Sequence, residues 1–480
     1  MPQTTEIVQT PYPAAGVGAL PIPVGQELIF VVENKKAVSN ETRVKYCADI
    51  YVDITSPTMT TPGSGTGFIG TFKTTPNGAG VGMFDVRNVV ENYVKADPVA
   101  SSVAEYKGNY NQSRDLSTHL IDKFSLNQDA FKYMAIQFYV EYLDTDATSQ
   151  TYNQVISVAG TEVNSELFAI FNGYVTYEDD ILRNALVTPL IQSYADTQRF
   201  VLGTLGADNQ FLTNAPVDQY ANIDDYGTMA MITLTDNLTR VKLDYTKADG
   251  SSGGGEYANR TEANGAFDTW TINSRKQVLF LGCFPGNLQN YSSQFVAANM
   301  LGGKIEVTPY NVSTQIGKTY TIHINCPNTK GYESIRIAWL NQWGAWDYYT
   351  FTKKSTRTIN TKGSTYTQLG GTWGSTSYRV SSFAGGKKSF RVNATEKITM
   401  NTDFVSENDN VMFEELMNSP EVYLLKGYQS GTETLSAKNT YVQPVRVTSS
   451  NFTTKTIAND RLLQYTFEIE KSKTQRTQSI

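Results

Sequence analysis

The sequence predicts a mainly β protein, built as several β-sandwich or barrel-like domains with a few short capping helices. Three observations point there. Tyr and Phe are abundant, at 29 and 22 residues, and such side chains suit a pleated, half-buried surface. The segments Arg43–Ile54 and Phe131–Leu143 alternate apolar and polar residues with a period of two. The last third is a succession of short strand patterns separated by turn residues. With 40% hydrophobic and 18% charged residues, the chain has material for real cores and too little charge for disorder.

Residues 1–26 carry Pro11, Pro13, Pro21 and Pro23 among small residues, a stretch ill suited to regular pairing. It reads as an extended arm along a neighbouring subunit or as an unattached terminus. Residues 27–180 read as an N-terminal β domain with one helix. Leu28–Val32 is a short strand. In Arg43–Ile54, Val44, Tyr46, Ala48, Ile50, Val52 and Ile54 share one face, and Lys45, Cys47, Asp49, Tyr51 and Asp53 the other. Asp85 is placed to cap a helix of about ten residues, in which Val86, Val89, Val90, Tyr93 and Val94 form one apolar face before Pro98. Phe131–Leu143, Val155–Val158 and Leu167–Val175 are further strands, and the pattern weakens at Glu178-Asp179-Asp180.

Residues 181–300 read as a middle, mostly β domain. Strands are expected at Met229–Leu234, Arg240–Tyr245, Phe267–Ile272 and Gln277–Leu281, with the glycine-rich stretch at Gly250–Gly255 as a hairpin loop or flexible insertion. Residues 301–480 read as a C-terminal β domain. Its strands are expected at Lys304–Pro309, Thr319–Cys326, Ser334–Leu340, Tyr348–Arg357, Ser389–Asn393, Glu396–Asn401, Val422–Leu425, Val442–Thr448 and Leu462–Glu470. One helix is expected at Glu407–Met417.

The composition excludes several function classes. The net charge of −6 gives no general footprint for nucleic acid. Three scattered cysteines (Cys47, Cys283, Cys326) and two histidines (His119, His323) favour neither a disulfide framework nor a transition-metal site. No apolar run approaches the length of a membrane span, and the N-terminus lacks the pattern of a secretory signal.

Chemical motifs are weak. Gly65-x-Gly67-x-x-Gly70 leads into a strand-like segment, whereas a dinucleotide site needs a helix there. Gly250-x-Ser252-x-Gly254 lacks a following helix and a credible histidine base. Asp144-x-Asp146 opens like a calcium loop but has Ser149 where glycine belongs. The aromatic cluster Trp339, Trp343, Trp346, Tyr348 and Tyr349 would fill a core or subunit interface if it alternates in strands, or stack on sugars if exposed. The first is favoured. The sequence therefore singles out no catalytic, cofactor-binding or metal-ligating residue.

The segment Tyr332–Asn341 running into Gln342–Thr352 resembles a "hydrophobic-Leu-Asn-x-x-Gly-Gly-x-Asp-x-Phe-x-Phe" stretch of tail structural proteins of tailed phages, especially those infecting Bacteroidota, with Ala345 in place of the second glycine. Arg357-Thr358 matches the basic element that follows it there. Tyr46–Val52, Gly82–Val94, Ser419–Leu425, Val445–Thr448 and Tyr465–Glu470 are similar to the same group, in the same order. The resemblance implies a virion structural protein and offers no catalytic residues, without fixing the position in the particle; a tail, baseplate or collar component connecting the tail to fibres, without enzymatic activity and assembled in the host cytoplasm, is the leading expectation. With the proline-rich arm it leads to the expectation of a ring-type homo-oligomer, sixfold before three- or twelvefold, touching other tail or collar proteins, with tail fibres as a further candidate, while the charge balance argues against direct nucleic-acid contact. A glycan-binding or glycan-cleaving tailspike-like receptor protein and a capsid decoration or head-fibre protein are the alternatives.

Overall fold

The computed structural model describes residues 4–11, 20–59, 61–96, 117–121, 124–127, 129–157, 160–176, 197–233, 238–259, 277–326, 331–373, 376–426, 440–454 and 463–477. Strand makes up 46% and helix 13%, so the molecule is mainly β, in several separate sheets.

The first core lies between two sheets. A three-stranded sheet orders Glu6–Gln9, Ile29–Glu33 and Val81–Asp85; a larger one orders Ile22–Pro23, Phe168–Phe171, Phe131–Leu143, Thr42–Val52 and Phe68–Thr74. Thr42–Val52 and Phe131–Leu143 pair antiparallel, with Ala48 opposite Phe138 and Ile50 opposite Ile136. These residues, with Tyr46 and Val140, meet Phe30, Val32 and Phe84 of the small sheet. The expected apolar face of Arg43–Ile54 thus builds this core from Val44 to Val52, while Ile54, beyond the positive φ of Asp53, joins a second core. The strand's other face is buried as well: Cys47, Asp49 and Tyr51 are all enclosed, and Tyr51 joins the second core with Tyr133 and Ala135. The Asp49 carboxylate is tolerated there because it accepts the Gly63 N–H and the Thr71 hydroxyl.

The proline-rich opening pairs with its own chain in its described parts, contrary to expectation. Glu6–Gln9 runs antiparallel to Ile29–Glu33, and Ile22–Pro23 runs parallel to Ile170–Phe171 at the sheet edge, where proline is tolerated. Ile22 and Val24 sit in the first core. The helix after Asp85 is shorter than expected. An α-helical turn, Arg87–Val90, continues as a 3-10 turn, Glu91–Tyr93. Val86 stands at the cap position, while Asp85 accepts the Arg87 N–H at 3.1 Å from one residue earlier. Val86, Val90 and Val94 are buried and Tyr93 is exposed, because the turn contacts the sheet along a narrow i, i+4 stripe.

Strand pairing spans both expected interior divisions. A four-stranded sheet joins Phe124–Asn127 to Gln277–Gly282, followed by Thr228–Thr233 and Val201–Leu202. A six-stranded sheet orders Asp218–Ala221, Tyr320–Ile324, Lys304–Asn311, Arg240–Thr246 and Ser252–Asn259, with Thr314–Gln315 beside it. The soft boundary at 178–180 and the strand expected at 267–272 lie outside the described residues. Gly253, Gly254 and Gly255 are not a loop but part of the strand Ser252–Asn259. At Gly253 a Cβ would come within 2.9 Å of the Met300 sulfur, so glycine permits the close packing.

The third core belongs to an eight-stranded sheet. Its order is Trp346–Phe351, Ile335–Leu340, Val422–Leu425, Val442–Val447, Thr466–Lys471, Gly386–Asn401 and Thr356–Gln368, with Gln475–Arg476 beside it. The helix Asn410–Asn418, entered through Glu407–Asp409 and a Ser406/Asp409 capping box, lays Phe413 and Leu416 on Ile337, Trp339, Ile398 and Phe467. The strand expected at Tyr348–Arg357 is two strands, broken after Phe351. The two expected at Ser389–Asn393 and Glu396–Asn401 are one, Gly386–Asn401.

The buried Tyr46 hydroxyl accepts the Asn34 N–H at 2.8 Å and donates to the Gly80 carbonyl at 2.7 Å, tying the first core to its loops. Tyr46→Phe is expected to cost about 1–3 kcal/mol through the orphaned partners. Val90→Asp, which places a charge in the same core, is expected to cost more. Urea denaturation of both variants beside the parent checks this order.

Candidate functional site

The segment that carries the resemblance is an antiparallel hairpin, Ile335–Leu340 with Trp346–Phe351. One face, with Ile335, Ile337, Trp339 and Phe351, enters the third core; the other, with Ala338, Trp346 and Tyr348, enters the second. Trp343 packs its ring on Phe200 at 4.7 Å beneath the Arg199 guanidinium. The aromatic cluster is interior, as the alternation predicted. The face turned away from the third core is covered by the chain's own second core and not by a subunit interface.

Two polar positions and a glycine of the segment acquire physical roles. Asn341 accepts the N–H groups of Trp343 and Ala345, both at 3.0 Å, and donates to the Leu212 carbonyl at 2.8 Å. Gly344 has φ +72°, and a Cβ there would lie 1.8 Å from the Asn172 carbonyl oxygen, so only glycine fits. Asp347 is buried and accepts the Thr213 hydroxyl at 2.6 Å.

A buried polar chain crosses the same hairpin. Arg336 donates to the Tyr226 carbonyl at 2.7 Å and the Thr350 hydroxyl at 2.9 Å, and pairs with Asp225 at 3.5 Å. Its guanidinium lies over Phe284 and Tyr348, and burial lowers its pKa. The Tyr348 hydroxyl meets Thr228 Oγ1 at 3.0 Å and His119 Nδ1 at 3.1 Å. His119 is fully buried, edge-on to Trp346, and burial holds its pKa down at about 3, so the ring is neutral. It is a core residue. His323 is half-exposed on its strand, 3.0 Å from Asp218 and stacked on Tyr220.

The weak motifs are structural in their described surroundings. Gly67, at φ +76°, makes a tight approach to the Val52 carbonyl and opens the strand Phe68–Thr74. Gly250 turns a hairpin and Ser252 starts its second strand. Asp144 accepts the Asp146 N–H and the Thr151 hydroxyl, which hold its carboxyl below the usual range. Among the described residues no group of three or more His, Cys, Asp or Glu is placed to hold a metal ion. All three cysteines are free; Cys326 is exposed, and burial pushes the Cys47 thiol up to about 12. No described helix is long and apolar enough to cross a membrane.

A cleft of about 1140 Å³ opens beside the hairpin loop, lined among others by Gly173, Arg199, Asn214, Gln342 and Glu415. Three of its polar side chains are tied to one another. Asn214 donates to Glu415 at 2.7 Å and Gln342 at 2.9 Å, and accepts the Trp343 indole N–H at 3.0 Å. The arrangement stitches segments together.

The prominent exposed feature is a two-stranded ribbon, Thr356–Gln368 paired with Gly386–Thr399. Its base is anchored. Arg357 pairs with Glu333 and, at 2.8 Å, with Glu396, and Lys471 holds Glu396 at 2.7 Å. The side chains of the ribbon face solvent, with Ile359 near the base at 62% exposure and, past the far end of the paired strands, Leu369 at 75%, Val380 at 77% and Phe383 at 89%. Such a run of uncovered apolar groups marks an interaction surface. Sequence reading missed it by cutting it into short strands. The available signal was the long Thr/Ser/Lys-rich run with no apolar face. No protein-family model matches the chain, and no curated protein matches it.

Burial pushes the Asp347 carboxyl up to about 6. Between pH 6 and the unfolded value near 4 the folded chain therefore holds the extra proton, and Asp347 adds stability as pH falls through that window. His119 acts with the opposite sign, since the unfolded chain protonates below about 6.5 and the folded one resists to about 3. Asp347→Asn removes only the first effect. On acidification from pH 7 to 4 it is expected to lose about 2–3 kcal/mol relative to the parent. Thermal melts of both at each pH check it. Trp346→Ala is expected to cost about 3–5 kcal/mol at any pH.

Proposed function

We propose that this chain is a structural component of a phage particle, a tail, baseplate or collar protein joining the tail to fibres, acting by assembly and not by catalysis. The observation that carries the reading is the anchored, exposed ribbon, whose apolar side chains need a partner to cover them. The family resemblance supports the same reading, because its strongest stretch is the hairpin at the junction of two cores. The burial of Trp339, Trp343 and Trp346 removes the rings that a glycan-binding platform would have used. Assembly as a ring of identical copies, sixfold first, accompanies this reading.

Mass spectrometry of purified particles, with gold-labelled antibody against the chain, tests it. Many copies labelling the tail or its junction with the head are expected. Absence from particles, or label spread over the head surface, overturns it.

A further inference from the structure

The ribbon has two unlike faces. Paired residues share a face, and the register sets Lys362 opposite Asn393, Ser364 opposite Arg391 and Tyr366 opposite Lys388. Lys362, Arg391 and Lys388 therefore stand on one face. Thr361 opposite Ala394, Gly363 opposite Val392 and Thr365 opposite Ser389 belong to the other, which carries no charge between Glu396 and Lys387. Between Asp347 and Glu396 the sequence has eight lysines and arginines and no carboxylate, within a chain of net charge −6.

The converse occurs once. Between Lys132 and Arg183 there are eight carboxylates and no lysine or arginine. The described part of this run lies on the N-terminal sandwich. Asp146 is exposed just beyond the strand Phe131–Leu143, and the exposed Glu41 precedes Thr42, which pairs with Leu143. Glu162 precedes Val163, which pairs on the same strand. Tyr152 and Val155 stand exposed in the same run, at 54% and 63%.

We infer that the ribbon of one copy docks on this acidic edge of a second copy, its cations against Glu41, Asp146 and Glu162 and the apolar side chains past its far end, Leu369, Val380 and Phe383, against Tyr152 and Val155. Two features favour this occupant. Charge complementarity is internal to the chain. The exposed Leu369, Val380 and Phe383 past the ribbon's far end also need apolar cover, which a phosphate backbone does not supply. Ribbon and edge are different surfaces, so the contact is heterologous: each copy gives a ribbon and receives one. Repetition closes as a ring or runs on as a filament. The inference rests on the assembly role proposed above and names its contact.

A charge swap tests it on the full chain by sedimentation velocity. The parent is expected to self-associate at low ionic strength and to dissociate as salt screens the contact. Lys362→Glu/Lys388→Glu/Arg391→Glu and Glu41→Lys/Asp146→Lys/Glu162→Lys should each weaken association at least tenfold alone. Mixed in equal amounts, the two should pair again. Both keep the parent's melting temperature, and Gln at the ribbon positions replaces Glu if that set misfolds. A parent that stays monomeric, a ribbon variant that associates normally, or a mixture that fails to pair overturns the inference. So does a ribbon variant that loses only binding to a duplex DNA probe, which assigns the ribbon to nucleic acid. Particle labelling is read separately. Chains found in the tail whose swapped variants do not pair leave the proposed function standing without this contact; swapped variants that pair while the chain is absent from particles do the reverse.

Discussion

The hairpin Ile335–Phe351 has almost no face that water could cover, and the rest of the molecule is arranged around that fact. A strand pair apolar on both sides must be enclosed on both sides. One side is met by the helix Asn410–Asn418 and the strands that hold Ile398 and Phe467. The other is met by Phe284, His119 and the two middle sheets. The large N-terminal sheet repeats the solution, with Phe138 and Ile50 on one side and Tyr133 and Tyr51 on the other. The second core is therefore shared: it touches the back of a sheet at each end, and the three cores are bound in series.

Polar groups caught in such an interior are costly unless bonded. Arg336 answers with Asp225, Thr350, the Tyr226 carbonyl and two ring faces. A buried ion pair of this kind adds little net stability over an apolar filling. Its geometry instead specifies how the hairpin sits, because removing either partner strands the other. Asn341 and Gly344 do the same for the loop, one by filling three hydrogen bonds and the other by having no side chain.

The ribbon obeys the opposite rule. Two strands alone in water are marginal, so the ribbon depends on its base, where Arg357, Glu396 and Lys471 lock it to the eight-stranded sheet. Its stability comes from one end and its chemistry is displayed at the other. That separation suits a part whose cover is supplied by assembly.

Local patterning by itself determined the mainly β class, the long strands at Arg43–Ile54 and Phe131–Leu143, the helix near Glu407–Met417 and the interior place of Trp339 and Trp346. Each of these follows from side-chain period, which is a property of neighbouring residues. Tertiary structure alone decided what lies far apart in sequence. It paired Phe124–Asn127 with Gln277–Gly282 and Lys304–Asn311 with Arg240–Thr246, so the divisions drawn at weak patterning do not separate the sheets. It folded the proline-rich opening onto two sheets, buried the second face of Thr42–Val52, and set His119 against Tyr348. It also left Thr356–Gln368 outside. Period tells which side chains share a face, but only the packed chain decides whether that face meets protein or water.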